Sequence, residues 1–169
     1  MSYLEDNIVE HIPRLRRYAC SLVYGDAQAA DDLVQDCLAR ALSRAKYWEQ
    51  GTDLRAWLFT IMHNVNVNQV RRNINGPKFV NLPDEIPASE SSTAEKRLEL
   101  RELNQAIAEL PIEQREVLLL VSLEGLRYRE VAEILEMPEG TVMSKLSRAR
   151  QKLRTTMGQS QKQNLKVVK

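Results

Sequence analysis

The stretch that most narrows the fold is Leu126 to Arg154, where helical periodicity, a proline and one-sided charge coincide. Val131, Ile134 and Leu135 recur at helical spacing, with the small Ala132 beside them where another helix can approach closely. Pro138 has no N–H to continue a helix, so Glu136-Met137-Pro138 ends the first one and Glu139-Gly140-Thr141 starts the next. In the second, Val142, Leu146, Ala149 and Leu153 fall at i, i+4, i+7 and i+11, a single buried stripe. The outer faces carry Ser144, Lys145, Ser147, Arg148, Arg150, Gln151, Lys152 and Arg154. Five Lys or Arg against one acid, Glu139, give this helix a net charge of +4. A short helix, a tight turn and a cationic second helix make a helix-turn-helix able to enter a major groove. An amphipathic pair with a merely solvated basic face would not need all three features at once.

That charge is local. Lys plus Arg number 24 against 23 acids in 169 residues, so the chain as a whole is no basic wrapper, and a second surface for something other than DNA is expected. No apolar run approaches a membrane span, and M-S-Y-L-E-D-N-I lacks a signal peptide's basic and apolar regions, which predicts a cytoplasmic protein without membrane insertion. Cys20 and Cys37 sit among apolar neighbours and read as buried thiols. His11 and His63 have no partners at metal-ligand spacing, and there is no P-loop, Gly-rich nucleotide fingerprint or nucleophile motif. No enzyme, metal or cofactor is expected.

Residues 1–72 read as helices broken at Gly25 and Gly51. Ile8, Ile12, Leu15, Ala19 and Leu22 line the first, with Pro13 near its start; Ala30, Leu33, Val34, Cys37, Leu38, Ala41 and Leu42 line the second. Opposite that second stripe, Asp32 and Asp36 stand one turn apart with Gln35 on the same side. Like charges so placed cost a helix about 0.2–0.5 kcal/mol, most easily tolerated if a basic partner neutralises them. A loop with two aromatics, Tyr47 and Trp48, leads to the helix Leu54–Arg72. Its inner face carries Trp57, Leu58, Ile61 and Val65; its outer face carries Arg55, His63, Asn64, Asn66, Asn68, Gln69, Arg71 and Arg72. Amides ending in paired arginines suit base edges and phosphates, and loop aromatics can stack unpaired bases at roughly 1–3 kcal/mol each.

Residues 73–95 hold three prolines, several serines and four acids against one lysine, which predicts an extended linker. Ser92 to Glu95 reads as a capping box before a helix carrying Leu100, Leu103, Ile107 and Leu110; Pro111 opens another through Leu120. Beyond Gly158 a polar, frayed tail is expected. The chain is thus all-α, with two small helical domains, 1–73 and 95–157, a flexible linker over 74–94, and a tail over 158–169.

These residues resemble a known family. Asp31-Asp32-Leu33-Val34-Gln35-Asp36 with Arg40-Ala41 resembles the core-binding motif of sigma factors. Leu54 to Ile61 with Asn64 and Arg71-Arg72 resembles their promoter-melting and minus-ten segment. Leu110-Pro111-x-x-Gln114-Arg115-Glu116-Val117, then Glu124 to Ala132, then Gly140 to Arg150, resembles sigma region four. Two regions with only a linker between them is the layout of extracytoplasmic-function (ECF) sigma factors. Asn68, where the family commonly has Asp, His63, where Arg is frequent, Arg127 at a cap usually Ser, and Met143 for a common basic residue depart from the pattern.

The resemblance implies a transcription-initiation subunit without catalysis of its own. Asp32, Gln35 and Asp36 would dock on the beta-prime clamp helices of core RNA polymerase, whose beta flap is a further expected partner surface. Tyr47, Trp48, His63, Asn64, Asn68, Arg71 and Arg72 would contact minus-ten promoter DNA. Thr141, Met143, Ser144, Lys145, Ser147, Arg148 and Arg150 would contact the minus-thirty-five duplex, Lys145 and Arg150 on phosphates. A cognate anti-sigma factor would cover these faces. Two other readings remain open at this point: a stand-alone helix-turn-helix regulator, which makes Asp32 and Asp36 plain surface, and an adaptor that mimics a sigma factor to titrate its inhibitor.

Overall fold

The computed structural model describes residues 3–72 and 93–167, the last eight of these by backbone alone. Most of the expected linker lies outside the described residues. The first half contains α1 (Tyr3–Leu22), α2 (Ala27–Ser43), a 3-10 turn (Ala45–Tyr47) and α3 (Leu54–Arg72). The second contains α4 (Ala94–Ala108), α5 (Ile112–Leu118) running into a π turn (Leu119–Leu123), α6 (Tyr128–Leu135) and α7 (Glu139–Val167). No strand occurs among the described residues.

Helix ends follow the chemistry of their residues. Asp26 caps α2 by accepting from the Ala29 N–H at 3.0 Å, after Gly25 has turned the chain at φ 79°. The expected cap of α4 shifts by one residue: Thr93 accepts from Lys96 N–H, and Ser92 lies outside the described residues. At α6 the Glu130 carboxylate accepts the Arg127 N–H at 2.7 Å; this is half a capping box, because an arginine side chain has no acceptor to return the bond. The α6–α7 turn closes through Glu136 at φ 52°, a left-handed conformation more usual for Gly or Asn. Residues 158–167, expected to fray, instead continue α7.

Tyr18, Phe59, Leu15, Leu33, Leu58, Met62 and Val65 fill the core of the first half, with Tyr18 and Phe59 edge to face at 5.1 Å. Val117, Leu120, Val131, Ile134, Val142, Leu146 and Ala149 fill the second. Two expected stripe members, Leu42 and Leu100, are exposed, and several others, Trp57 among them, are only half-buried. Asn66, assigned to the outer face of α3, is buried.

The two halves also pack on each other, which periodicity within either half does not reveal. α6 lies on α3, and α5 with its π turn lies on α1. The buried Arg115 guanidinium joins them. It donates to the carbonyls of Ile107 (3.1 Å), Ala108 (2.6 Å) and Leu110 (3.0 Å), reaches Leu22 O of α1 at 3.5 Å, and lies 4.3 Å from the Tyr24 ring centroid. Tyr24 itself is left-handed, φ 59°, a conformation costing about 1–2 kcal/mol that the guanidinium contact offsets.

Cys37 touches Leu58 O at 3.6 Å between α2 and α3, and burial pushes its thiol up to about 12. Its thiolate fraction rises only as pH nears that value, and at pH 8 is about one in ten thousand. Alkylation followed by mass spectrometry should therefore label the half-exposed Cys20 first and Cys37 only on global unfolding. Comparable rates at pH 8 would mean that the α2–α3 contact opens in the native protein.

Candidate functional site

Three surfaces collect the residues singled out by the sequence. The first is a shallow groove on α2 lined by Ala29, Asp32, Gln35 and Asp36, closed on one side by Gln69 of α3. Asp32, Gln35 and Asp36 are exposed together, while the neighbouring Asp31 turns away to pair with Arg16 of α1 at 2.8 Å. Gln69 Nε2 donates to Asp36 Oδ2 at 2.9 Å, so the far end of α3 fixes one carboxylate of this groove. The alternating burial of α2, with Leu33, Val34 and Cys37 inward, forces the acids outward. The groove is an acceptor-rich surface for cations.

The second surface is a concavity between the 44–53 loop and α3, lined by Arg44, Tyr47, Trp57, Thr60, Ile61 and Asn64. Tyr47 is 70% exposed, with the Lys46 ammonium 5.0 Å from its ring centroid. Trp48 behaves differently. It stacks on Tyr3 at 6.4 Å, is half-buried against the core, and its buried indole N–H has no hydrogen-bond partner. Arg44, Trp57 and Thr60 were not among the expected contacts. Their signal was present: Trp57, Thr60, Ile61 and Asn64 follow helical spacing on one face, but an aromatic and an isoleucine on that face read as core. Asn64, Arg71 and Arg72 are exposed and Asn68 partly so. His63 faces the other way, its Nδ1 3.0 Å from Glu116 Oε1 of α5.

The third surface is α7. Val142, Leu146 and Ala149 bury one side against α5 and α6, leaving Met143, Ser144, Ser147, Arg148 and Arg150 exposed. Thr141 is partly buried in the first turn, where its carbonyl accepts from Ser144 Oγ at 3.0 Å. Two of the helix's cations are engaged elsewhere: Lys145 pairs with Glu113 of α5, and Lys152 donates to Glu109 O at the end of α4. Of the described cations, Arg148, Arg150, Lys152 and Arg154 are exposed on this helix, and Lys145 alone is paired with a carboxylate. No cluster of potential metal ligands occurs among the described residues, and no described helix is long and apolar enough to cross a membrane.

Residues 8–63 match the family described as "Sigma2 domain of PhyR", and residues 100–153 match "Sigma-70, region 4". The chain is 38% identical over 152 residues to the "ECF RNA polymerase sigma factor EcfG" of Rhodopseudomonas palustris, covering 89% of this chain and 82% of that protein. It is 34% identical over 152 residues to the "ECF RNA polymerase sigma factor SigL" of Mycobacterium tuberculosis, covering 88% and 85%. Among solved structures, the sigma factor RpoE in complex with the anti-sigma factor NepR from Bartonella quintana matches with a TM-score of 0.80 and 31% identity, over 91% of this chain and 96% of that one. Matched over nearly its whole length, with its acidic groove and cationic helix in the matched regions, the chain belongs to the extracytoplasmic-function family of RNA polymerase sigma factors.

Proposed function

We propose that this chain is a cytoplasmic, non-catalytic initiation subunit that binds core RNA polymerase and directs it to minus-ten and minus-thirty-five promoter elements. The observation that carries this reading is the presence, on one chain 38% identical to a sigma factor, of an acidic groove and a cationic recognition helix on separate exposed surfaces. Asp32, Gln35 and Asp36 present acceptors to a basic helix of the polymerase, and a charge-assisted contact there is about twice as strong as a neutral one. The Tyr47–Trp57–Asn64 concavity combines two aromatic rings with polar side chains, which suits one base taken from the stack at a cost of a few kcal/mol. Strand opening would then draw on binding energy alone. Arg148, Ser144, Ser147 and Met143 would reach base edges and Arg150 a phosphate, while Lys145, tied to Glu113, would contribute only if that pair opens.

The RpoE relative solved with an anti-sigma factor is similar to this chain across both halves, which supports a cognate inhibitor for this chain as well. The stand-alone regulator has no such support, since the matched relatives are sigma factors over more than four-fifths of their own length.

Purified protein should bind bacterial core polymerase tightly, and Asp32→Lys/Asp36→Lys should abolish binding while leaving helical content unchanged. DNA binding without polymerase binding by the wild type would instead favour the stand-alone regulator. Arg148→Ala should cost roughly 1–3 kcal/mol on a matched minus-thirty-five site and far less on a scrambled one, measured by fluorescence anisotropy. Equal weakening on both would reassign Arg148 to phosphate.

A further inference from the structure

The cations of α7 do not all stand in the same condition. Lys145 and Lys152 lie two turns apart on one edge of the helix, and both reach the corner where α4 passes into α5. Lys152 Nζ donates to Glu109 O at 3.1 Å, a backbone contact that leaves its charge uncancelled. Lys145 Nζ meets the Glu113 carboxylate of α5; the lysine side chain is 22% exposed and the glutamate 60%. Of the five cations between Glu139 and Arg154, Lys145 alone meets a carboxylate among the described residues. The +4 charge of this stretch therefore overstates what it offers to DNA by one.

The edge that carries Lys145 is one on which DNA backbone would lie. A major groove is about 12 Å wide, and a helix with its side chains is about 10–12 Å across. A helix that enters therefore fills the groove and sets both its edges against phosphates. Lys145 stands one turn before Arg148 and next to Ser144, at the border of the outward face. By charge and position it is a phosphate contact; by its pairing it is already neutralised. An ion pair with one partner this exposed contributes little to folding stability, so its main effect falls on what α7 can bind.

We propose that Glu113 is an affinity-setting residue of the minus-thirty-five interface: by holding Lys145 it removes one phosphate contact from α7 and keeps the chain's own affinity for DNA low. The Glu113 carboxylate occupies the ammonium that a DNA phosphate would otherwise take. Phosphate contacts carry no sequence information, so the weakening falls equally on promoter and bulk DNA. Bulk DNA offers a vast excess of competing sites. A chain with one phosphate contact fewer spends less time on them and stays available to core polymerase. Glu113 acts through Lys145 and touches no base itself. This inference rests on α7 being the minus-thirty-five helix, as proposed above.

The test uses the full chain and two fluorescein-labelled duplexes, one carrying the sequence that the wild type selects from a random library and one scrambled. Anisotropy should show roughly four- to eightfold tighter binding by Glu113→Gln at about 0.1–0.2 M salt, by the same factor on both duplexes. The slope of log affinity against log salt should steepen by about 0.9, the value for one added phosphate contact. Adding Lys145→Gln to Glu113→Gln should remove the whole gain in affinity and in slope, which closes the cycle on this pair. A gain that survives Lys145→Gln, a gain confined to the selected duplex, or an unchanged slope overturns the proposal. A purely structural pair would lower the thermal midpoint and leave the slope as in the wild type. If circular dichroism shows lost helix in Glu113→Gln, Glu113→Ala takes its place with the same expected directions. Core-polymerase binding by the wild type, measured in parallel without DNA, decides the sigma-factor reading independently.

Discussion

The arrangement of this protein depends on one buried cation. Arg115 is 1% exposed, and the acceptors its guanidinium reaches are carbonyl oxygens rather than carboxylates. Three of them, at Ile107, Ala108 and Leu110, belong to the last turn of α4 or the residues just after it, where orphan carbonyls and the negative end of the helix dipole favour a positive charge. A fourth, Leu22, plays the same part at the end of α1, and Tyr24 adds its ring face. Each carbonyl left unmatched in a buried site would cost about 1–3 kcal/mol. The guanidinium therefore closes α4, orients α5 and ties both to the first half in one step. A lysine, a point charge with three donors, could not reach four carbonyls in this fork geometry.

With α5 so placed, Glu116 follows Arg115 directly and must face α3, and the π turn carries Glu124 onto Arg17 and Arg55. The wider π turn has a specific consequence: Glu124 N bonds back to Leu119 O and Leu126 N to Leu120 O, so the chain leaves α5 sideways rather than along its axis. Gly125, at φ 66°, permits that exit. The same geometry seats α6 against α3 and α7 against α4, α5 and α6, leaving α7's cationic face outward. Structure and candidate function thus share elements: the residues that hold the halves together are neighbours of those that would contact DNA.

Two expectations about site residues changed meaning in three dimensions. Lys145 was read from its charge and helical position as a phosphate contact; it pairs with Glu113 because α5 packs across α7. Trp48 and Tyr47 were equivalent in sequence, adjacent aromatics in one polar loop. The 3-10 turn sends Trp48 inward onto Tyr3 and leaves Tyr47 in solvent beside the concavity.

By itself the sequence determined the helices, their punctuation at Gly25, Gly51, Pro111 and Pro138, the acidic face of α2 and the cationic face of α7. Each of these is a local property, set by 3.6-residue periodicity, capping and backbone dihedral limits within a few residues. Family motifs in their order along the chain added the identity of the two halves. Only the tertiary structure decided that the halves close on one another, that Arg55 and His63 are covered, that Asn66 is buried and Leu42 is not, and that Trp57 lines a pocket. The first two depend on residues more than fifty positions apart coming into contact, as His63 does with Glu116 and Arg17 with Glu124. Polar residues at such contacts look, in a single sequence, like any other solvated surface, because periodicity separates inside from outside for one helix but does not say which helix will cover it.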